Sequence, residues 1–423
     1  MLNSSSYGNS WDNGPDWSDG QPAQAGNDYH VGQSPTGRSL RTPDSVTNPV
    51  FPGDSLTIHG TGTLAMKHGG NAQIADLRLD GGSLSAWIGN RTFGFDGTLT
   101  VLSTSTLSVA NSSDSRRIVI ASLLTGSGNL TVSGSDDNDW VRLTNTGNTY
   151  TGNWTVTGGW LEAQGAGSLG TGNVTVNGGA EIDVDYDISN TADWSLGGTM
   201  ILDQSHTIGA LTVGGDPVAT GTYSYAVLKL AFDANFATGG SGSRTVTSGP
   251  VAGGTVYELN KSQPYGNSWN TGADWTNTGD SSTGVVPIFG TVANVQGRTL
   301  RTPTSSDTFR AELHLQSGST LLLKTSGTAT ITDAHLEGGT FSQGIAANST
   351  GTFAGNISVD SASGIDLNSS ATDLRTIILT ANLSGSGGLT VDGGNGTGAG
   401  TLRLTGDNSA YSGDWLVRDF AIL

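Results

Sequence analysis

The stretch Gly97-Thr98-Leu99-Thr100-Val101, followed by Arg117-Ile118-Val119-Ile120 and Asn129-Leu130-Thr131-Val132, decides the fold. Apolar and polar residues alternate within these runs, and Gly, Asn and Asp punctuate the intervals. Period-two alternation puts apolar side chains on one face of a strand, and turn residues stop each strand after a few positions. Ser55-Leu56-Thr57-Ile58 and Asn173-Val174-Thr175-Val176 follow the same grammar. Leu79 to Leu99, and Val156 to Val176, are each spaced by twenty residues, near the length of one parallel β-helix turn made of two or three strands and their corners. Coils of about 20 to 24 residues predict roughly 18 turns. No propeller blade signature recurs, and without cysteine no immunoglobulin-type Cys and Trp core is available. The expected fold is all-β: a right-handed parallel β-helix, or solenoid.

The chain is also written twice. Tyr7-Gly8-Asn9-Ser10-Trp11 and Trp17 recur as Tyr265-Gly266-Asn267-Ser268-Trp269 and Trp275. Gly37 to Pro43 recurs as Gly297 to Pro303, Leu79-Asp80-Gly81-Gly82 as Leu336-Glu337-Gly338-Gly339, and Tyr150 with Trp154 as Tyr411 with Trp415. Two duplicated units are expected. Residues 1–254 form the first, with an N-terminal Trp-rich cap and a short helix over Tyr223 to Phe232, and residues 255–423 form a truncated second copy. Gly239 to Ser243 and Gly249-Pro250 read as the junction. Because the second copy stops where the first continues through Trp160-Leu161-Glu162-Ala163, the chain reads as a segment of a longer protein.

Only 34% of the 423 residues are hydrophobic and 65 are glycine, too lean a composition for one large core. A solenoid suits it, since each coil supplies a few inward aliphatics and neighbouring coils complete a narrow core. With 18 basic and 36 acidic residues the net charge is -18, which repels nucleic acid, anionic membrane surfaces and, unless calcium bridges the contact, anionic polysaccharides. Neutral or weakly charged glycans remain open as partners. The absence of cysteine removes disulfides and thiolate metal sites. Met1-Leu2-Asn3-Ser4 is not a leader, and no run of eighteen apolar residues occurs, so no membrane insertion is expected. The expected location is extracellular, with a leader lost together with flanking modules.

Leu143-Thr144-Asn145-Thr146-Gly147-Asn148-Thr149-Tyr150-Thr151-Gly152-Asn153-Trp154-Thr155-Val156, with Gly158-Gly159-Trp160-Leu161 and Ser168-Leu169-Gly170, resembles the autotransporter-associated β-strand repeat of bacterial secreted proteins. Leu404 to Asn408 and Tyr411 to Trp415 repeat it. The resemblance covers about a third of the chain and implies a right-handed parallel β-helix. Such repeats occur in adhesins, autotransporter passengers and accessory modules of polysaccharide-degrading enzymes. The acidic, tryptophan-bearing character is similar, at class level, to β-helical xylan-binding modules (carbohydrate-binding module family 89), which implies a bacterial secreted enzyme with a covalently linked catalytic module.

Hydrolysis would need two positioned carboxylates. The dense acidic groups, Asp136-Asp137-Asn138-Asp139 and Asp183-Val184-Asp185-Tyr186-Asp187, have no His, Lys or Arg cluster nearby in sequence. They read foremost as solvated turns and strand faces, with a structural calcium site as the next reading and catalysis last. His30, His59, His68, His206, His314 and His335 show no two-His helical spacing. His59 and His68 could face each other across adjacent coils, yet surface histidines are the commoner case, and neither a metal nor another cofactor is assigned. The Asn-x-Ser/Thr sequences at Asn129 and Asn173 read as turns.

Ten tryptophans in a polar chain are more informative, because a slim aliphatic core cannot hold them all. Trp11, Trp17, Trp269 and Trp275 start each copy and read as caps, while Trp154 and Trp415 read as corner residues. Trp87, Trp140, Trp160 and Trp194 lack second-copy tryptophan counterparts and are the ligand-binding candidates. Asp137, Asp139 and Arg142 around Trp140, and Tyr186, complete the expected site. The function expected is a non-catalytic carbohydrate-binding module for xylan or a related β-glycan. The alternative is a structural adhesin or autotransporter-like stalk without a glycan site.

Overall fold

A computed structural model describes residues 10–33, 37–44, 46–67, 70–110, 114–249, 251, 255–260, 268–369, 372–394, 399–419 and 421–423. The duplicated segments at 7–9 and 265–267, His68 and Pro250 lie outside them. Strands take up 51% of the chain and helix 4%, and the strands wind into a parallel β-solenoid of about 16 turns. That is fewer than 18, and some coils exceed the expected length, with 25 residues from Leu107 to Val132 and 26 from Ile365 to Val391.

Two compact units divide the chain: Met1–Gly215 with Thr222–Ser248, and Asp216–Gly221 with Gly249–Leu423. The division thus falls at Ser248/Gly249 rather than at 254/255. The short segment Asp216–Gly221 belongs with the second unit because Val218 bridges to Phe289, Thr220 to Val251, and Asp216 pairs with Arg310 at 2.5 Å.

The first unit shows why the alternating runs form strands. Leu40, Leu64, Leu84, Leu107, Val132, Val156, Val176, Leu196 and Val213 are successive Cα partners on neighbouring coils, each at most 1% exposed. This column is one wall of the core, and emptying one leucine position in it costs about 2–5 kcal/mol. On the outer side of the same strands stand Ser39, Thr63, Ser83, Thr106, Thr131, Thr155, Thr175, Ser195 and Thr212, whose small, mostly β-branched side chains suit a half-exposed pleated surface. At one corner Asn129, Asn153 and Asn173 each accept, through Oδ1, the backbone N–H one coil on, at 2.8–3.0 Å. These asparagines are turn residues, as read.

Where a long strand must bend, glycine is required. Gly97 has φ 119° and Gly355 φ 105°, and a Cβ at either would collide with the carbonyl oxygen of Ile74 or Ile331. The only α-helix among the described residues is Tyr225–Ala231, inside the expected span, with Leu228 and Ala231 buried.

The second unit repeats the plan. Leu300, Leu321, Phe341, Ile365 and Val391 form its column. Each copy starts on buried tryptophans, with the Trp17 indole N–H donating to the Trp11 carbonyl at 3.1 Å and that of Trp275 to Trp269 at 3.2 Å. Each carries the same corner. The Tyr150 hydroxyl donates to Gly128 O at 2.7 Å and that of Tyr411 to Gly387 O at 2.9 Å, while the Tyr150–Trp154 and Tyr411–Trp415 rings both meet edge-on at 5.4 Å.

Candidate functional site: an aromatic and acidic strip on the first unit

The turn Gly134 to Asp139 sets Trp140 in place. Asp136 Oδ1 accepts from the Asn138 N–H at 2.8 Å, and the Asp139 carboxylate accepts from the backbone N–H groups of Ser135 at 2.9 Å and Arg116 at 2.8 Å. Asp139 is 0% exposed, so it braces the turn and is not open to a ligand, which corrects its expected role.

In the strand Trp140–Leu143, Val141 and Leu143 point inward while Trp140 and Arg142 are half-buried on the outer face. One coil on, Gly159 at φ 70° redirects the strand Trp154–Ala163, and the Trp160 N–H bonds the Asp139 carbonyl at 2.9 Å. Trp160 thereby becomes the Cα partner of Trp140, and Glu162 that of Arg142. The next coil adds Glu181 beside Trp160 and Asp183 beside Glu162. Two rows result: Arg117, Trp140, Trp160, Glu181, and Val119, Arg142, Glu162, Asp183.

The rows are cross-linked. Arg142 Nε donates to Glu162 Oε2 at 2.6 Å, and Gln164 Nε2 donates to Glu162 Oε1 at 2.6 Å. The Arg142 and Arg117 guanidinium carbons lie 4.3 and 5.7 Å from the Trp140 ring centroid, within cation–π range. The Trp160 indole N–H is tucked beneath the face without an acceptor. Burial, reinforced by Asp185 and Glu162, pushes the Asp183 carboxyl up to about 7. Burial also raises Glu181, with a contribution from the Asp137 charge, and raises Asp185, with one from Glu162. Near neutral pH the strip therefore offers ring surface, guanidinium and amide donors, and a carboxyl group that both donates and accepts.

Trp140, Trp160 and Arg142 thus come together, with exposed Asp137 close enough to act on Glu181. Trp87 is half-buried outside both rows, with the Lys67 ammonium 5.4 Å from its ring. Tyr186 is half-buried, and its hydroxyl accepts the Leu169 N–H at 3.0 Å. Trp194 is only 2% exposed, with the Arg244 guanidinium 4.4 Å from its ring, so it cannot offer a face to a ligand. It stands in one inward column with Trp154, separated by Val174. Glu181, Asp183 and Arg117 are site residues that the linear reading missed, and buried Glu162 orients Arg142 and Gln164. Their signal is the coil period: Trp140 to Trp160 and Arg142 to Glu162 are each twenty residues apart.

Elsewhere, His59 bonds Asp80 at 3.0 Å and His30 at 2.9 Å, and its expected partner His68 lies outside the described residues. In the second unit a cleft of about 370 Å³ is lined by Trp269, Val285, Phe309 and the Asp216–Arg310 pair, whose charges already satisfy each other. Among the described residues, Glu312, His314 and His335 form the group suited to holding a metal ion, and no helix is long and apolar enough to cross a membrane. No protein-family model, curated protein or solved structure matches this chain, so its chemistry rests on its own geometry.

Proposed function

We propose that the strip on the first unit is a non-catalytic binding face for a neutral plant β-glycan such as xylan, in a bacterial secreted protein that degrades plant polysaccharide. The observation that carries this reading is the side-by-side placement of Trp140 and Trp160 on adjacent coils, outside the core. Indole rings present flat apolar surface to the C–H faces of a sugar at low cost in conformational entropy, and the Arg142, Gln164 and Asp183 groups beside them suit hydroxyls. The net charge of -18 favours an uncharged ligand over a polyanion. A rigid solenoid lets weak contacts along an extended chain add through multivalency.

The test is retention on insoluble xylan and retardation in a gel containing soluble xylan. The double variant Trp140→Ala/Trp160→Ala is expected to lose both while still melting cooperatively. Failure of the unaltered chain to bind any of a panel of xylans, mixed-linkage glucans and celluloses would favour the stalk reading. Release of reducing ends by purified protein, abolished in Asp183→Asn, would replace binding with hydrolysis.

A further inference from the structure

We infer that the outer face of the second unit is a binding site for a divalent transition metal of the zinc type, held by His314, His335 and Glu312. His314 on the strand Asp307–Gln316 and His335 on Thr328–Glu337 are Cα partners on adjacent coils, and their rings stack at 4.7 Å with an interplanar angle of 8°. Each imidazole is oriented by a carboxylate: His314 Nδ1 lies 2.7 Å from Glu337 Oε1, and His335 Nδ1 lies 2.7 Å from Asp360 Oδ2. With each Nδ1 turned to its carboxylate, Nε2 is the nitrogen of each ring that can serve as a ligand; that of His314 hydrogen-bonds Glu312 in the ion-free chain, a contact that an ion would replace. Both Nε2 atoms converge on one oxygen, Glu312 Oε1, at 2.8 Å from His314 and 3.6 Å from His335.

The three donor atoms lie within 4.8 Å of one another. A zinc ion with bonds of about 2.0–2.1 Å places tetrahedral donors about 3.3 Å apart, a spacing these separations bracket. Asp333 Oδ1, 3.7 Å from His335 Nε2, is a fourth donor. Imidazole nitrogens with carboxylate oxygens suit zinc and its first-row neighbours better than calcium, and carboxylates on the far ring nitrogens are the usual outer support of such a site. All three side chains are partly open to solvent, which gives an ion a path in.

The first unit supplies an internal comparison. From Ser55 to Gly82 the copies align at a constant offset of 257, so Ser55, Thr57, Asp76 and Arg78 stand where Glu312, His314, Asp333 and His335 stand in the second. Thr57 and Arg78 are Cα partners, as the two histidines are. Arg78 Nε bonds Asp76 at 2.9 Å, so the first copy builds a permanent cation into the position. The second copy puts two imidazoles among four carboxylates in place of that cation, an arrangement that a bound dication balances.

The experiment uses the untagged full chain, stripped with chelator, titrated calorimetrically with ZnCl2 and probed with Co2+ for ligand-field absorption. One high-affinity equivalent per chain is expected, undisturbed by excess Ca2+. His314→Thr/His335→Arg, which copies the first unit, is expected to weaken zinc binding at least 100-fold while its metal-free melting stays cooperative. Asp360→Asn, which leaves every ligand in place, is expected to weaken it about 10–100-fold. Absence of a high-affinity equivalent, displacement by Ca2+, or unchanged affinity in both variants would overturn the assignment.

Discussion

The Arg142 guanidinium carbon lies 4.3 Å from the Trp140 ring centroid, so this ring is engaged by the protein as well as open to solvent. Truncating it therefore touches folding and binding by separable amounts. Trp140→Ala is expected to cost about 0.5–2 kcal/mol of stability through the lost cation–π contact, and at least about 2 kcal/mol of glycan binding as a central aromatic anchor. Trp17→Ala, which empties a buried cap, is expected to cost about 3–5 kcal/mol of stability and to leave the affinity of the folded fraction unchanged. Denaturant unfolding and affinity gels on both variants separate the two effects.

Asp183 gives the strip a pH signature. Its folded-state value of about 7 lies above its ordinary 3.8, so the folded chain keeps a proton that the unfolded chain releases. Its contribution to stability is full below 3.8, declines as pH rises towards 7, and is flat above that. Asp183→Asn is expected to flatten this slope and to raise stability above pH 7 by at most about 4 kcal/mol, reduced by solvent on its open side. Unfolding midpoints of both proteins at pH 4 and pH 8 check it.

His206 acts with the opposite sign. Burial, with a contribution from Arg244, lowers it from 6.5 to about 3, so the unfolded chain binds the extra proton. Stability contributed by the neutral ring is present above 6.5 and is lost as pH falls towards 3, up to about 5 kcal/mol. His206→Gln is expected to blunt acid unfolding in that window while leaving an acceptor for the Ile188 N–H, which now bonds His206 Nδ1 at 3.3 Å. Stability curves between pH 3 and 7 provide the comparison.

Arg244 is 0% exposed, its Nε and Nη1 have no partner, and burial lowers it to about 9, so it stays charged at neutral pH. A guanidinium in a core costs more in lost hydration than its contacts with the Trp194 ring and the Met200 sulfur return. Arg244→Met, which keeps the length and removes the charge, is expected to be neutral or to stabilise by about 1–4 kcal/mol, measured by thermal melting.

The alternation around Leu99, Val132 and Val156 made the strands and their inward column legible, because a period of two assigns side-chain faces before any tertiary contact is known. The caps were legible too, since Trp17 and Trp275 open equivalent copies. The site was only half legible. Trp140 and Trp160 stand out in sequence for lacking counterparts, but their adjacency follows from coil length, which brings residues twenty apart into register. The same period would have placed Trp194 two coils beyond Trp154 in the core. Asp139 reads as a ligand group in sequence because composition cannot show that a carboxylate is consumed by the backbone N–H groups of Ser135 in its own turn and of Arg116 one coil back. The converging nitrogens of His314 and His335 likewise depend on register and rotamer, which no local motif records.

The unbroken column from Leu40 to Val213 makes the first unit behave as a one-dimensional zipper. An interior coil is clamped by whole coils on both sides, while the coil of Leu40 has the Ser10–Trp11 capping segment on one of them, so opening starts there and advances coil by coil. Amide exchange in the first unit should follow this order, with protection rising from the strand Ser39–Arg41 towards Leu130–Ser133. The aromatic strip, built on strands Trp140–Leu143 to Ala180–Val184, sits several coils from that fraying front. Its geometry therefore outlasts the first losses of order in the molecule that carries it.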